Sequence, residues 1–467
     1  MRFLVGATLL LLTACVGADQ EDAGTVTDAD TVGTTAIPAT TIPATPTTTP
    51  EPIPVQIQDC ATPQVWFSPL CQAYELAQEW HMDRPIDPDA LAEAALHGLR
   101  EFSTDVTEPA PRTLICAIPD PAFNPLCDEL AERASLYSIP IEEAVEAAVT
   151  SMASTGLEQF SYYVPPELVG SYRSNGVVGG IGVLLDATDA AGSKCVRIAE
   201  NCPLEIVFVL EDNPGSEAGL EPGDQIVEVD DEPVTGLGFV DTAIRLAGDE
   251  SGVVEISVER DDTSIEFTIE RAPLVVPTVE IDVPRPGIGY ILIPDFEPDI
   301  PDLVHEALTD LMDEPIDRLV VDLRDNPGGF LDATLDVATE FMTGGVVVQT
   351  VGPGEDFAYE AGGDGLASEA EITVLVNEGT ASAAEILATA LRDRRGAMIL
   401  GEPTFGKDAV QIAFDMNNGG EFNVAVARWL SPDGTSVAGT GVLPDRVIEL
   451  PRSMATGKLA DLAFEGP

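Results

Sequence analysis

Two side chains in this sequence stand where a nucleophile and its base could work together. Ser382 follows the apolar run 372–376 and precedes a helical pattern at about 384–394, within Asn377-Glu378-Gly379-Thr380-Ala381-Ser382-Ala383-Ala384-Glu385-Ile386. A hydroxyl at a strand-to-helix turn is exposed, and the N–H groups of a helix start point outward beside it. Such a serine needs a base. The chain holds three histidines, His81, His97 and His305, none near Ser382 in sequence, and three lysines, Lys194, Lys407 and Lys458. Lys407 lies 25 residues beyond Ser382, in Gly401-Glu402-Pro403-Thr404-Phe405-Gly406-Lys407-Asp408-Ala409-Val410-Gln411. A lysine kept neutral by burial can take a proton from serine, and Gln411, four residues on, could orient the amine. Spacing alone equally allows an N-capping serine beside a solvated turn lysine.

The elements that must position these residues read as one α/β unit, 276–452. Residues 287–293 and 319–323 are apolar strand patterns, 302–313 and 331–342 are helical, and 345–350 is a further strand. His305, in the first of those helices, suits packing or the surface better than a ligand role. The strand 319–323 runs into Arg324-Asp325-Asn326-Pro327-Gly328-Gly329. A Gly-Gly turn after a strand leaves backbone N–H groups that can face a developing oxyanion, or it is simply an ordinary β-α turn. Because Ser382 also follows a strand of parallel type, both turns are expected at one sheet edge.

Residues 172–275 change to strand patterns. Gly179-Gly180-Ile181-Gly182-Val183 opens a strand, and Asn213-Pro214-Gly215-Ser216-Glu217-Ala218-Gly219-Leu220-Glu221-Pro222-Gly223-Asp224-Gln225-Ile226 leads into another. This segment resembles a PDZ domain. The loop Gly180, Ile181 and Gly182 would correspond to its carboxylate-binding loop, whose N–H groups hold a chain-terminal carboxylate while the strand edge pairs with the peptide. Residues 56–171 carry a duplication: Cys60-Ala61-Thr62-Pro63 with Phe67, Pro69, Leu70 and Cys71 returns 56 residues later as Cys116-Ala117-Ile118-Pro119 with Phe123, Pro125, Leu126 and Cys127. Helical patterns follow each copy, so the region reads as two helical hairpins, each clipped by a small loop, serving as a cap or spacer.

Residues 1–14 read as an export signal: Arg2, then a short apolar stretch, then Leu12-Thr13-Ala14-Cys15. Small residues ending in Cys resemble the lipobox of bacterial lipoproteins, which makes Cys15 the expected lipid attachment and 15–55, rich in Thr and Pro, a tether. The location expected is the cell envelope, on the outer face of the membrane, or the medium. In an exported chain six further cysteines suggest disulfides, and local pairing gives Cys60–Cys71, Cys116–Cys127 and Cys195–Cys202. No metal site is expected, because no Cys-x-x-Cys pair or histidine cluster exists. The chain has 467 residues, 45% of them hydrophobic, enough for about three domains. A formal charge of −59, from 81 acidic and 22 basic residues, argues against nucleic acid as a partner.

Taken together, the chain resembles the carboxyl-terminal processing, or tail-specific, serine peptidases, which join a PDZ domain to a Ser-Lys catalytic pair. The similarity spans about 144–450. It includes 157–172, the PDZ turn, Asp322-Leu323-Arg324-x-Asn326-Pro327-Gly328-Gly329, the Ser382 stretch, Ala427-Arg428-Trp429-Leu430-Ser431-Pro432-x-Gly434 and Gly441-Val442-Leu443-Pro444-Asp445. The resemblance implies a multi-domain α/β protein with a helical N-terminal region, a PDZ domain and a crotonase-like protease core, ending in a tail at 453–467. It implies Ser382 as nucleophile, Lys407 as base, Gln411 as its orienting partner, and an oxyanion hole from the N–H groups of Gly328 and Ala383. No cofactor is expected, and the expected partners are proteins or peptides with free C-termini. Thr380 and Ala384 stand where serines are common in the family, and Asp408 where glycine is usual. A non-catalytic PDZ scaffold and a crotonase-like acyl-CoA enzyme are the alternative readings.

Overall fold

Residues 60–71 and 116–127 form the two expected clips, each a disulfide spanning a sequence separation of 11. The computed structural model describes residues 4–5, 53–102, 107–166, 169, 179–187, 198–210, 213–237, 239–246, 252–260, 263–273, 278–363, 365–451 and 454–464. In the N-terminal region the helices are α1 (Ser68–Trp80), α2 (Pro88–Glu101), α3 (Asn124–Tyr137) and α4 (Ile141–Gly156). α1 and α3 begin earlier than the periodicity alone suggests. Pro69 and Pro125 explain it, since proline lacks the N–H that the first turn leaves unpaired anyway. The two copies meet through parallel strands, Val55–Asp59 against Leu114–Ile118. Cys202 is disulfide-bonded, while Cys195 lies outside the described residues, as do the expected lipidation site Cys15 and nearly all of the segments expected as an export signal and a tether.

The PDZ segment is a five-strand sheet with the order Thr263–Glu270, Val253–Arg260, Gln225–Val229, Leu204–Val209, Val183–Ala187, to which Glu232–Pro233 adds an edge. Its turn motif has a local cause. Gly219 ends a short helix with φ +93°, Gly223 turns the chain at φ +92°, and the buried Asp224 accepts the Glu221 N–H at 2.9 Å and pairs with Arg260.

A short strand, β1 (Tyr162–Val164), leaves the helical region and joins the protease core. The core's first sheet contains β2 (Glu280–Arg285), β3 (Ile288–Leu292), β4 (Arg318–Asp322), then, after other elements, β7 (Glu371–Val376) and β8 (Met398–Gly401), with Arg446–Val447 at its end. From β3 onward all pairings are parallel. Its alternate residues serve two faces. Ile291, Leu319, Val321, Ile372, Val374 and Ile399 pack under α5 (Ile300–Met312), α6 (Leu331–Phe341) and α7 (Ala383–Arg395). Ile288, Tyr290, Val320, Leu375 and Leu400 pack on the other side with Leu459, Ala460 and Ala463 of α8 (Thr456–Phe464). The C-terminal segment expected as a tail is therefore a cover for the second face. A second, antiparallel sheet holds β5 (Gly345–Val351), β6 (Phe357–Ala361), β9 (Ala409–Asp415) and β10 (Glu421–Leu430), and β1 pairs with β10. Beyond β9 the backbone of Leu4–Val5 lies antiparallel between Gln411 and the short strand Gly329–Phe330.

Among the described residues no helix is long and apolar enough to cross a membrane.

Candidate active site

Parallel pairing of β4 with β7 brings their two following turns to the same sheet edge, because Asp322 stands opposite Leu375. The turn after β4 runs Leu323 to Gly329 and the turn after β7 runs Asn377 to Ser382. They are stitched together. Thr380 Oγ1 donates to the Leu323 carbonyl at 2.7 Å, the Ala381 N–H donates to the Asn326 carbonyl at 2.9 Å, and the Asp325 N–H donates to Asn377 Oδ1 at 2.8 Å. Below them Arg324 and Asp322 form a buried ion pair that also takes the Tyr290 hydroxyl, and Arg324 donates to the Leu450 and Pro451 carbonyls. That pair explains the Asp-Leu-Arg part of the motif: it fastens the strand end to the C-terminal segment.

Ser382 sits at the N-terminus of α7 with φ +55° and ψ −113°, a positive-φ conformation that costs a non-glycine residue on the order of 1–3 kcal/mol. It is buried, and its Oγ has no hydrogen-bond partner. Gly328 lies against it: a Cβ there, at φ +104°, would stand 2.9 Å from Ser382 Cβ and 3.0 Å from the Ala383 nitrogen. So the Gly-Gly turn and the helix start do meet. The Gly328 N–H, however, donates to Asn326 Oδ1 at 2.9 Å.

Lys407 is buried at 5% exposure, and burial pulls its pKa from the usual range for lysine down to about 8. Glu158 and then Glu385 oppose that shift. The amine lies 5.2 Å from the centroid of the Phe160 ring and makes no hydrogen bond to Ser382 Oγ in this arrangement. Gln411 Nε2 donates to the Phe160 carbonyl, and its Oε1 is unpartnered. Asp408, which follows the lysine, faces elsewhere: Oδ2 is 3.9 Å from Arg428 Nε, and Arg428 also grips Asp83. Burial raises the Asp408 pKa while Arg428 lowers it.

The residue that joins the two halves is one to which the sequence pattern gave no role. Glu385, in the first turn of α7, is wholly buried. Its Oε2 accepts the Ser382 N–H at 2.7 Å and the Lys407 N–H at 2.9 Å; its Oε1 accepts the Gly406 N–H at 2.8 Å and the Thr404 hydroxyl. Burial raises its pKa to about 7 against the pull of those donors. The available signal was its place three residues after Ser382, where a glutamate can reach back to the residue before the helix.

Residues 287–448 match peptidase family S41, and residues 179–270 match the PDZ domain family. A carboxyl-terminal-processing protease of Synechocystis is 33% identical over 318 residues, which cover 66% of this chain and 72% of the relative. The chain belongs to peptidase family S41. The chloroplastic carboxyl-terminal-processing peptidase 2 of Arabidopsis thaliana is 31% identical over 73% of this chain and 68% of its own length. The solved photosystem II D1 C-terminal processing protease shares the fold, with a TM-score of 0.63 over 86% of this chain and 98% of its own, at 23% identity. The S41 chain is thus a serine peptidase of the carboxyl-terminal-processing type with a PDZ domain, and its multi-domain α/β architecture is the one expected.

In the PDZ segment the Ile181 carbonyl accepts the Gly215 N–H at 2.7 Å and the Gly182 carbonyl accepts the Leu210 N–H at 2.8 Å. The carbonyls of this loop are thereby engaged within the domain.

Proposed function

We propose that this S41 chain is an endopeptidase in which Ser382 is the nucleophile, Lys407 the general base and Gln411 the residue that orients the amine. One observation carries the reading: a single buried carboxylate, Glu385, holds the backbone of a positive-φ serine whose hydroxyl is unpartnered and that of a buried lysine whose pKa is lowered to about 8. A lysine with that pKa is a competent base near neutral pH. Catalysis requires Nζ to come within hydrogen-bond reach of Ser382 Oγ. Neutral Lys407 then takes the hydroxyl proton as Oγ bonds to the peptide carbonyl carbon, and the carbonyl electrons move to the oxygen. The Ala383 N–H at the helix start supports that oxyanion, and Gly328 joins it by sharing the N–H now held by Asn326. The lysine ammonium returns its proton to the departing amine, and water later hydrolyses the acyl-enzyme.

The substrate is a protein end. The loop Gly180, Ile181 and Gly182 offers backbone N–H groups to a terminal carboxylate. The gap between Gly329–Phe330 and Gln411 admits an extended backbone with antiparallel pairing on both sides, as the pairing of Leu4–Val5 illustrates. The export signal, Cys15 and the Thr- and Pro-rich segment support a site of action at the outer face of the cell membrane, held by a lipid on Cys15.

Digestion of casein by the full chain tests the chemistry. Ser382→Ala and Lys407→Ala should each lose at least about a hundredfold in rate with circular dichroism unchanged. Substantial cleavage by either variant would sink the Ser-Lys assignment.

A further inference from the structure

The S41 match begins at residue 287, yet one wall around Lys407 is built by residues 157–161, the turn that leaves α4. Glu158 organises this turn. Its Oε2 accepts the Phe160 N–H and its Oε1 the Ser161 hydroxyl, each at 2.6 Å. The turn is fastened to β10 where Ser161 Oγ accepts the Ala425 N–H at 3.0 Å, and the Ala425 carbonyl accepts the N–H of Met82, from the segment that follows α1, at 2.8 Å. Behind the turn stands His81, which is buried. Its Nδ1 accepts the Asp83 N–H at 3.0 Å, so Nε2 carries the ring proton, and Nε2 is 3.6 Å from Glu158 Oε1.

Phe160 meets both groups that the reaction depends on. Its ring lies 5.2 Å from Lys407 Nζ, and its carbonyl accepts Gln411 Nε2. We infer that the Glu158–Ser161 turn of the helical region is the seat of the catalytic base, with the Phe160 ring holding the Lys407 amine, the Phe160 carbonyl holding Gln411, and Glu158 fixing the turn while facing the amine with its charge. The inference rests on the Ser-Lys reading. Phe160 and Glu158 are positioning residues, because they act through Lys407. The charged and titratable groups around the amine are Glu158 from this turn and Glu385 from α7, with Asp408 Oδ2 3.9 Å from Arg428 Nε, and His81 and Asp83 lying behind.

The physical consequence is specific. An aromatic face and a carboxylate both attract an ammonium and are indifferent to a neutral amine. Each therefore counters the burial that lowers the Lys407 pKa. Replacing the ring by an aliphatic side chain of similar bulk keeps water out and removes only the attraction. Neutralising Glu158 removes the other part.

The test uses the full chain carrying Ser382→Ala, with ¹³C at lysine Cε. Three lysines give three signals, and loss of one in Lys407→Met assigns it. In Phe160→Leu and in Glu158→Gln the Lys407 titration midpoint should fall by roughly half a pH unit or more, and in Phe160→Tyr it should stay. In the variants that retain Ser382, the acid limb of kcat/KM should move by the same amount. Midpoints unchanged in both Phe160→Leu and Glu158→Gln overturn the inference, even if activity falls, since the turn would then be scaffold alone. Cleavage persisting in Lys407→Ala would instead remove the Ser-Lys assignment and leave the titration result as it stands.

Discussion

At the scale of single residues, the site is organised by two buried groups that act on stability in opposite senses. Glu385 satisfies four donors from two segments of chain, so a neutral amide there leaves buried N–H groups facing an NH2. Glu385→Gln should destabilise the protein by about 2–4 kcal/mol, at roughly 1–3 kcal/mol per unsatisfied buried donor, and reduce kcat at least about tenfold because both turns lose their common anchor. Urea unfolding and steady-state kinetics read the two effects; a variant with normal kcat would remove the anchoring role. Lys407 works the other way. Its folded pKa of about 8 is depressed from 10.5, so its neutral form suits the fold: its favourable contribution is present above about pH 10.5 and is lost as pH falls through about 8. At pH 7 the buried charge is a burden of roughly 2–4 kcal/mol, since each pH unit between the two pKa values is worth about 1.4 kcal/mol. Lys407→Met should therefore be the more stable protein at pH 7, with its advantage shrinking between about pH 8 and 10.5, while showing no peptidase activity. A melting temperature below that of the parent at pH 7 would contradict this.

At the scale of elements, much of the site was legible in the sequence. The apolar run 372–376 and the helical pattern after it became β7 and α7, and parallel pairing with β4 placed two turns from distant segments at one edge. Strand and helix periodicity carry that information locally. What periodicity does not carry is how turn backbone is spent. Gly328 reads as an oxyanion donor from its Gly-Gly context, yet its N–H is held by Asn326 Oδ1, two residues back. Nor does any pattern link Phe160 to Lys407, which lie 247 residues apart in sequence. The helical region reads as a spacer because its repeat is self-consistent, with two disulfides, although its apolar core continues into Phe422 and Val424 of β10. Its contribution to the site is one turn beyond the repeat. The close approach of the two edge turns gives a sharp expectation. Gly328→Ala places a methyl 2.9 Å from Ser382 Cβ and from the Ala381 carbonyl oxygen, at a φ that alanine rarely adopts. It should abolish measurable cleavage, with a loss of stability of about 1–3 kcal/mol. Near-parent activity in that variant would mean the two turns are not packed as described.

At the scale of the whole molecule, the charge becomes a functional variable. With 81 acidic and 22 basic residues, the net −59 leaves most carboxylates without a cationic neighbour. Pairs such as Arg324–Asp322 and Arg428–Asp83 spend several of the few cations on fastening segments together. The remaining field is that of a strongly negative molecule which must admit a polypeptide. The field's reach depends on salt, about 30 Å at 0.01 M and about 8 Å at 0.15 M. Substrate ends rich in Lys and Arg are therefore drawn toward the protein at low salt, and acidic ends are repelled, before any contact that reads sequence. The measurable consequence is a difference in kcat/KM between two unstructured peptides that share a scissile segment and C-terminus but carry flanks of opposite charge. At about 20 mM NaCl the basic peptide should be cleaved roughly tenfold faster or more, from the range of electrostatic steering. At about 0.5 M NaCl the two should converge, with the change in kcat/KM and not in kcat, because steering acts on encounter. The Phe160→Leu variant should keep this salt dependence intact while its acid limb moves, since the ring acts within a few ångströms of Lys407 and the field acts across the molecule. A charge preference that persists undiminished at the higher salt would place the discrimination in short-range contacts of the cleft instead.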